Sequence, residues 1–160
     1  MRLKKLTLDD FLEDIDYTLI GVYCSLEDYR LAYLLNKHLG LNLRRRRDDI
    51  EYDDTSSYSI FEWEDEKQFT VWNLVSNICK IEVVNTSEAT SLFTDLEKFT
   101  KTNYLVPEYK KVNFILKISD ESFRQNEKVF VDKIKTIPQV ITAYGIDPSQ
   151  LKTTDQLIFN

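Results

Sequence analysis

Apolar positions in this chain recur with two different periods, and the switches between them mark its elements. From Asp16 to Cys24 the chain is apolar at both alternating parities and rich in β-formers, which predicts a strand covered on both faces and lying centrally. Directly after it, Leu26, Tyr29, Ala32, Tyr33, Leu35 and Leu39 recur at about 3.6 residues and draw one apolar stripe, with Glu27, Arg30 and Lys37 outside it. Ser25 stands where an N-cap belongs, Asp28 follows three residues on as in a capping box, and Gly40 stands where a left-handed residue ends a helix. Leu41 and Leu43 then alternate with Asn42 and Arg44, so the pattern is strand, helix, strand.

Two β-rich runs, Tyr58 to Trp63 and Gln68 to Asn73, flank the charged stretch Glu64-Asp65-Glu66-Lys67, whose length suits a hairpin. A symmetric turn places Phe61, Trp63 and Trp72 on one face and Ile60, Phe69 and Val71 on the other. With apolar bulk on both sides, one face is expected to cover the helices and the other a subunit partner. Ile78 to Val84 is another β-branched run, whereas Asn85 to Thr102 mixes polar residues with a helix-like set at Leu92, Phe93, Leu96 and Phe99. Val112 to Ile118 predicts a strand, Asp120 a cap, and Phe123, Phe130, Ile134 and Ile137 a helix that Pro138 stops. Val140 to Tyr144 returns as strand, Asp147-Pro148-Ser149 turns, and Leu157-Ile158-Phe159 adds a short strand or packs the tail.

Two strand, helix, strand units around a hairpin predict an α+β fold: a mainly antiparallel sheet with two principal helices packed on one face, ferredoxin-like in parts. A chain of 160 residues with three glycines and three prolines fits one domain over residues 1–160, folded throughout. Its 27 acidic and 21 basic residues leave a net charge of −6, which works against phosphate backbones and anionic membrane surfaces. No apolar run of about 18 residues is present, and Met1 to Asp10 lacks the hydrophobic stretch of a signal peptide, so a cytoplasmic protein is expected. Cys24 and Cys79 fall inside predicted strands without CxxC spacing and fit two reduced, buried thiols.

Candidate chemistry is sparse. Arg44-Arg45-Arg46-Arg47 has the guanidinium forks that hold phosphates, but Asp48, Asp49, Glu51, Asp53 and Asp54 follow at once and favour local ion pairing. The acidic stretch Glu62, Glu64, Asp65, Glu66 lacks the glycine and alternating ligands of a calcium loop. His38 is the only histidine and falls near a helix C-terminus, where the dipole favours positive charge. One histidine and two distant cysteines do not make a conventional zinc site, and neither a Walker loop nor a GxGxxG is present. No catalytic residue, cofactor or metal ligand is therefore assigned.

Val106-Pro107-Glu108-Tyr109-Lys110-Lys111-Val112-Asn113-Phe114 resembles the signature of the IPExxxVDY family, a bacterial group associated with Bacteroidota that has no assigned activity. Ser25 to Tyr33 with the following Leu34 to Arg45, and Phe61 to Glu64, are similar to that family too, so the likeness covers most of the chain. Pro107, Glu108 and Val112 match the signature, while Val106 replaces Ile, Asn113 replaces Asp and Phe114 replaces Tyr. An amide at 113 neither ionises nor transfers a proton, so the resemblance implies a structural turn motif at Pro107, Glu108 and Val112, with Val112 opening the next strand.

The leading expectation is a non-catalytic interaction or accessory protein, homodimeric through a sheet edge or through the Phe61, Trp63 and Trp72 face. A small-ligand binder or enzyme is the alternative, with a pocket between sheet and first helix lined by Tyr23, Tyr29, Tyr33 and Glu108. A third reading, weak RNA binding, needs the acidic residues after Arg47 to turn away from the arginines.

Overall fold

A computed structural model describes residues 17–84, 98–120, 126–152 and 154–159. Strand β1 (Thr18–Cys24) leads into helix α1 (Asp28–Leu39), followed by the short strands β2 (Arg44–Arg45), β3 (Ile50–Glu51) and β4 (Ser57–Tyr58). The hairpin β5 (Ile60–Asp65) and β6 (Thr70–Ser76) comes next, then β7 (Ile78–Val84) and β8 (Lys98–Tyr104). The chain closes with β9 (Phe114–Ser119), helix α2 (Glu127–Lys135) and β10 (Val140–Ile146). Six strands form one sheet in the order β10-β1-β9-β6-β5-β2, and every pairing in it is antiparallel. The inner run β10-β1-β9-β6 with its two helices repeats the strand order of a ferredoxin-like unit, and β5 and β2 extend it on one side.

Both helices lie on one face of this sheet. Leu31, Ala32 and Leu35 of α1 and Val131 and Ile134 of α2 share a core with Ile20, Val22, Leu74, Leu116 and Ile118. Fully burying each of the large side chains stabilises the fold by about 1.5–3 kcal/mol. Gly40 ends α1 at φ 69°, where an L side chain is strained, and its N–H closes the helix on the Asn36 carbonyl at 3.0 Å. At the other end Glu27, not Ser25, is the N-cap, and it makes no side-chain cap bond. Asp28 instead accepts from the Tyr29 N–H at 2.7 Å.

The opposite face is covered from within the chain rather than by a partner. Leu19, Ile60, Val75, Ile115 and Ile146 project there and are buried by Tyr58 of β4 and by Leu105, Val106, Val112, Leu151 and Leu157, which come from loops, turns and the C-terminal segment. Lys117 ties that segment down: its ammonium donates to the Leu157 carbonyl at 2.6 Å and lies 4.8 Å from the Tyr17 ring and 5.0 Å from the Phe159 ring. Burial pulls its pKa below the usual lysine value. Leu157 belongs to a 3-10 turn, Thr154–Leu157, not to a strand.

Other elements begin or end where neighbours require. Leu41 to Leu43 is not strand, because the Asn36 side chain binds Leu43 twice, accepting from its N–H at 2.8 Å and donating to its carbonyl at 3.1 Å. Phe69 occupies the turn at φ 53° and is 90% exposed, so it belongs to neither hairpin face. Asp120 accepts from the Thr70 hydroxyl at 3.0 Å, and α2 begins only at Glu127 after Asn126. Phe99 lies in β8; Leu92, Phe93, Leu96 and Phe123 lie outside the described residues.

Candidate interaction surface

The three hairpin aromatics expected at an interface face inward. The register Trp63↔Trp72 and Phe61↔Leu74 does put Phe61, Trp63 and Trp72 on one side, but that side is the helix side. Phe61 and Trp72 are buried, and Trp63, half-buried, stacks on Trp72 at 6.4 Å while Trp72 meets Phe130 of α2 at 5.4 Å. These rings are core because α2 crosses above them, which the hairpin's own pattern does not reveal.

The pocket expected between sheet and α1 is likewise filled, by Leu31, Ala32 and Leu35 of α1, which share the core with Ile20, Val22 and Leu43. Tyr23 alternates with Cys24 and so points away from the helices, whereas Tyr29 and Tyr33 share the outer face of α1 and are 59% and 64% exposed. Glu108 lies exposed in a 3-10 turn, Pro107–Tyr109, beside the other face of the sheet. The four residues do not converge.

That turn is held by a residue the sequence pattern does not single out. Asn77 is fully buried and uses all its polar groups. Its N–H donates to Asn113 O at 2.9 Å and its carbonyl accepts from Leu105 N–H at 2.9 Å. Its side-chain oxygen accepts from Val106 N–H at 2.7 Å, while its amide nitrogen donates to Tyr109 O at 3.0 Å and Val112 O at 2.9 Å. Pro107 opens the turn at its first helical position, and Val112 packs into the second core two residues before β9 rather than opening the strand. The only sequence trace of Asn77 is its place as the break between two β-rich runs.

Asn113 carries the order onward to β1. Its N–H donates to Val22 O at 3.0 Å, and its side-chain oxygen accepts from Cys24 N–H at 3.1 Å. An aspartate could accept the same bond, so the position serves strand pairing with either residue. These two bonds also fix which way β1 turns its backbone. Val22 and Cys24 face β9, so by antiparallel alternation Leu19, Gly21 and Tyr23 face β10 and bond to their partners Ile146, Tyr144 and Thr142. The backbone groups of Ala143 and Gly145 consequently point outward from the sheet.

The two sheet edges are thus unlike. The β2 edge is two arginines long; Arg45 ion-pairs with Asp49, and Arg46 lies 3.7 Å from the Glu62 carboxylate. Short, charged strands of this kind resist further pairing. The β10 edge, Val140-Ile-Thr-Ala-Tyr-Gly-Ile146, runs seven residues without a charge or proline, and Ile141 is 62% exposed at the bulge where the β1 pairing shifts. No described strand pairs with its outer side.

Elsewhere the surface offers little chemistry. A trough of about 530 Å³ follows the loop Glu51–Ser57, and another of about 340 Å³ lies between Arg46, Asp49 and Phe159. The Asp53 carboxylate in the first is occupied by its own loop, accepting from Thr55 N–H at 2.8 Å and Ser56 N–H at 2.7 Å, bonds that lower its pKa. His38 is exposed in the last turn of α1. Among the described residues no group of three His, Cys, Asp or Glu side chains could hold a metal, and no helix is long and apolar enough to cross a membrane. Both cysteines are free thiols; Cys24 is buried as expected, but Cys79 is only half-buried, because its strand β7 pairs with β8 outside the main sheet. Comparison with protein families, curated proteins and solved structures finds no match to this chain.

Proposed function

We propose that this chain is a non-catalytic, cytoplasmic interaction protein that joins another polypeptide by strand addition along β10. The carrying observation is the asymmetry of the sheet edges: one is short and blunted by arginines, the other is seven uncharged residues with outward backbone groups at Ala143 and Gly145. The filled interface between helices and sheet supports binding at the surface over binding in a pocket. The network around Asn77 and Asn113, which reaches Val106, Tyr109 and Val112 on either side of Pro107 and Glu108, supports a structural reading of the motif that resembles the IPExxxVDY signature. Two free thiols suit a reducing compartment.

Native mass spectrometry of the protein, isolated gently from its source, tests the reading. A retained protein subunit or a bare dimer is the expected result. A monomer carrying one stoichiometric small molecule would overturn it in favour of a ligand-binding protein.

A further inference from the structure

We infer that Phe69, at the tip of the β5–β6 hairpin, is an anchor that inserts into an apolar recess on a different protein, one whose rim carries lysine or arginine. Phe69 is 90% exposed, and among the described residues it is the only non-glycine at positive φ, at 53°. Both properties count against the fold. The left-handed region crowds the Cβ of an L residue, so glycine or asparagine is the usual occupant of such a turn position. An exposed ring, in turn, adds no burial to either core.

The turn nevertheless holds this ring in one place. Asp65 pairs with Thr70 across it, the Asp65 carbonyl accepts from Gln68 N–H at 3.3 Å, and the Asp65 carboxylate accepts from Lys67 N–H at 3.1 Å. Thr70, buried directly after Phe69, donates its hydroxyl to the Asp120 carboxylate at 3.0 Å, which fastens the turn to the chain just past β9. An aromatic side chain with two torsions, set on a turn fixed in this way, loses little freedom when it is enclosed, as an interface anchor requires.

Charge selects the occupant. Glu64, Asp65 and Glu66 stand beside the ring in sequence with Lys67, three negative charges against one positive. Phosphate backbones and anionic membranes repel such a tip, which sets base stacking and membrane insertion aside. A second copy is disfavoured on the same ground. Of the two troughs described above, one is edged by Glu51, Asp53 and Asp54, and the other by Asp48, Asp49 and Glu51 with Arg46. A recess rimmed by cations on another protein complements both the ring and the carboxylates. Strands β1 and β9 separate the hairpin from β10, so this contact is distinct from strand addition there.

A photoreactive residue in place of exposed Gln68, with Phe69 intact, reads the contact in cells of the protein's source. One protein adduct is expected, mapped by mass spectrometry to an apolar recess flanked by lysine or arginine. Its yield is expected to fall about tenfold or more with Phe69→Asn, and likewise with Glu64→Lys and Glu66→Lys combined, two exposed positions. Thermal unfolding of the purified chain is followed alongside. Phe69→Asn is expected to unfold about 2–4 °C above wild type, since asparagine tolerates the left-handed turn.

An adduct unchanged by Phe69→Asn overturns the anchor, and one unchanged by the charge reversal overturns the cationic rim. No adduct at all, or one to nucleic acid, lipid or a second copy, overturns the protein partner. A Phe69→Asn variant less stable than wild type also overturns the proposal, because the ring would then serve the fold. Circular dichroism of each variant confirms that it is folded.

Discussion

Asn77→Ala isolates the contribution of one buried side chain. The substitution removes three hydrogen bonds: one accepted from Val106 N–H and two donated to Tyr109 O and Val112 O. Tyr109 O keeps a partner, because it also accepts from Val112 N–H at 3.0 Å. The Val106 N–H and the Val112 carbonyl lose the bonds that Asn77 supplies, both in residues that are 0% exposed. Orphaning a buried polar group costs about 1–3 kcal/mol, so the two together cost about 4 kcal/mol. Against a total stability of about 5–15 kcal/mol this is severe, and it corresponds to a thermal midpoint lower by roughly 8–16 °C. Urea unfolding followed by tryptophan emission measures it directly, since Trp72 is core and Trp63 packs on it.

Asn77→Asp sharpens the same test. It keeps an acceptor for Val106 N–H but turns an oxygen toward two carbonyl oxygens, so in the fold the carboxyl binds its proton more tightly than in the unfolded chain. A carboxyl raised in this way stabilises the fold most below its unfolded value of about 3.9, and that contribution is lost as pH rises through the folded value. The deficit relative to wild type should therefore grow between acid and neutral pH. An Asn77→Ala variant within about 1 kcal/mol of wild type would refute the assignment, because unpaired buried groups would then have found other partners.

Asn113→Ala deletes the acceptor for Cys24 N–H and should cost about 1–2 kcal/mol in urea unfolding, whereas Asn113→Asp keeps the bond and should cost less. Equal losses for the two would contradict a purely accepting role. Burial pushes up the Cys24 thiol, so a disulfide reagent should modify half-buried Cys79 quickly and Cys24 only on unfolding; peptide mapping decides, and equal rates would be inconsistent with the structure. Burial also raises the phenols of Tyr17, Tyr58 and Tyr144 above their ordinary 10.0. Their contribution is intact below that value and lost as pH rises through the folded values, so stability should fall as pH rises above about 10, less steeply in Tyr58→Phe than in wild type.

Much of the local order was legible before any tertiary contact was known. The double-parity run at Thr18–Cys24 is a strand buried on both faces, and the stripe from Leu31 to Leu35 is the buried side of α1. The left-handed residue at Gly40 and the shared face of Phe61, Trp63 and Trp72 follow from backbone sterics and strand alternation, which act over a few residues. What such patterns leave open is which apolar face meets which. The hairpin's two faces suggested an excess of apolar surface, and the structure spends it internally, with α2 over Trp72 on one side and Leu105, Val106 and Leu157 under Ile60 and Val75 on the other.

The candidate surface was less legible than the fold. The pocket expected between sheet and first helix joined Tyr23, Tyr29, Tyr33 and Glu108, yet strand and helix geometry turn the three tyrosines to different sides and Glu108 lies in a separate turn. The uncharged run at Val140–Ile146 is visible in the sequence, but its place at the sheet edge arises only when β1 pairs with β9 on its other side. Asn77 is one asparagine among several until Leu105, Val106, Tyr109, Val112 and Asn113 fold around it. Sequence periodicity determined which residues form strands and helices and which sides are apolar, because those depend on short-range sterics. Edge, partner strand and buried polar network were decided by pairings between residues tens of positions apart, which only the assembled sheet brings together.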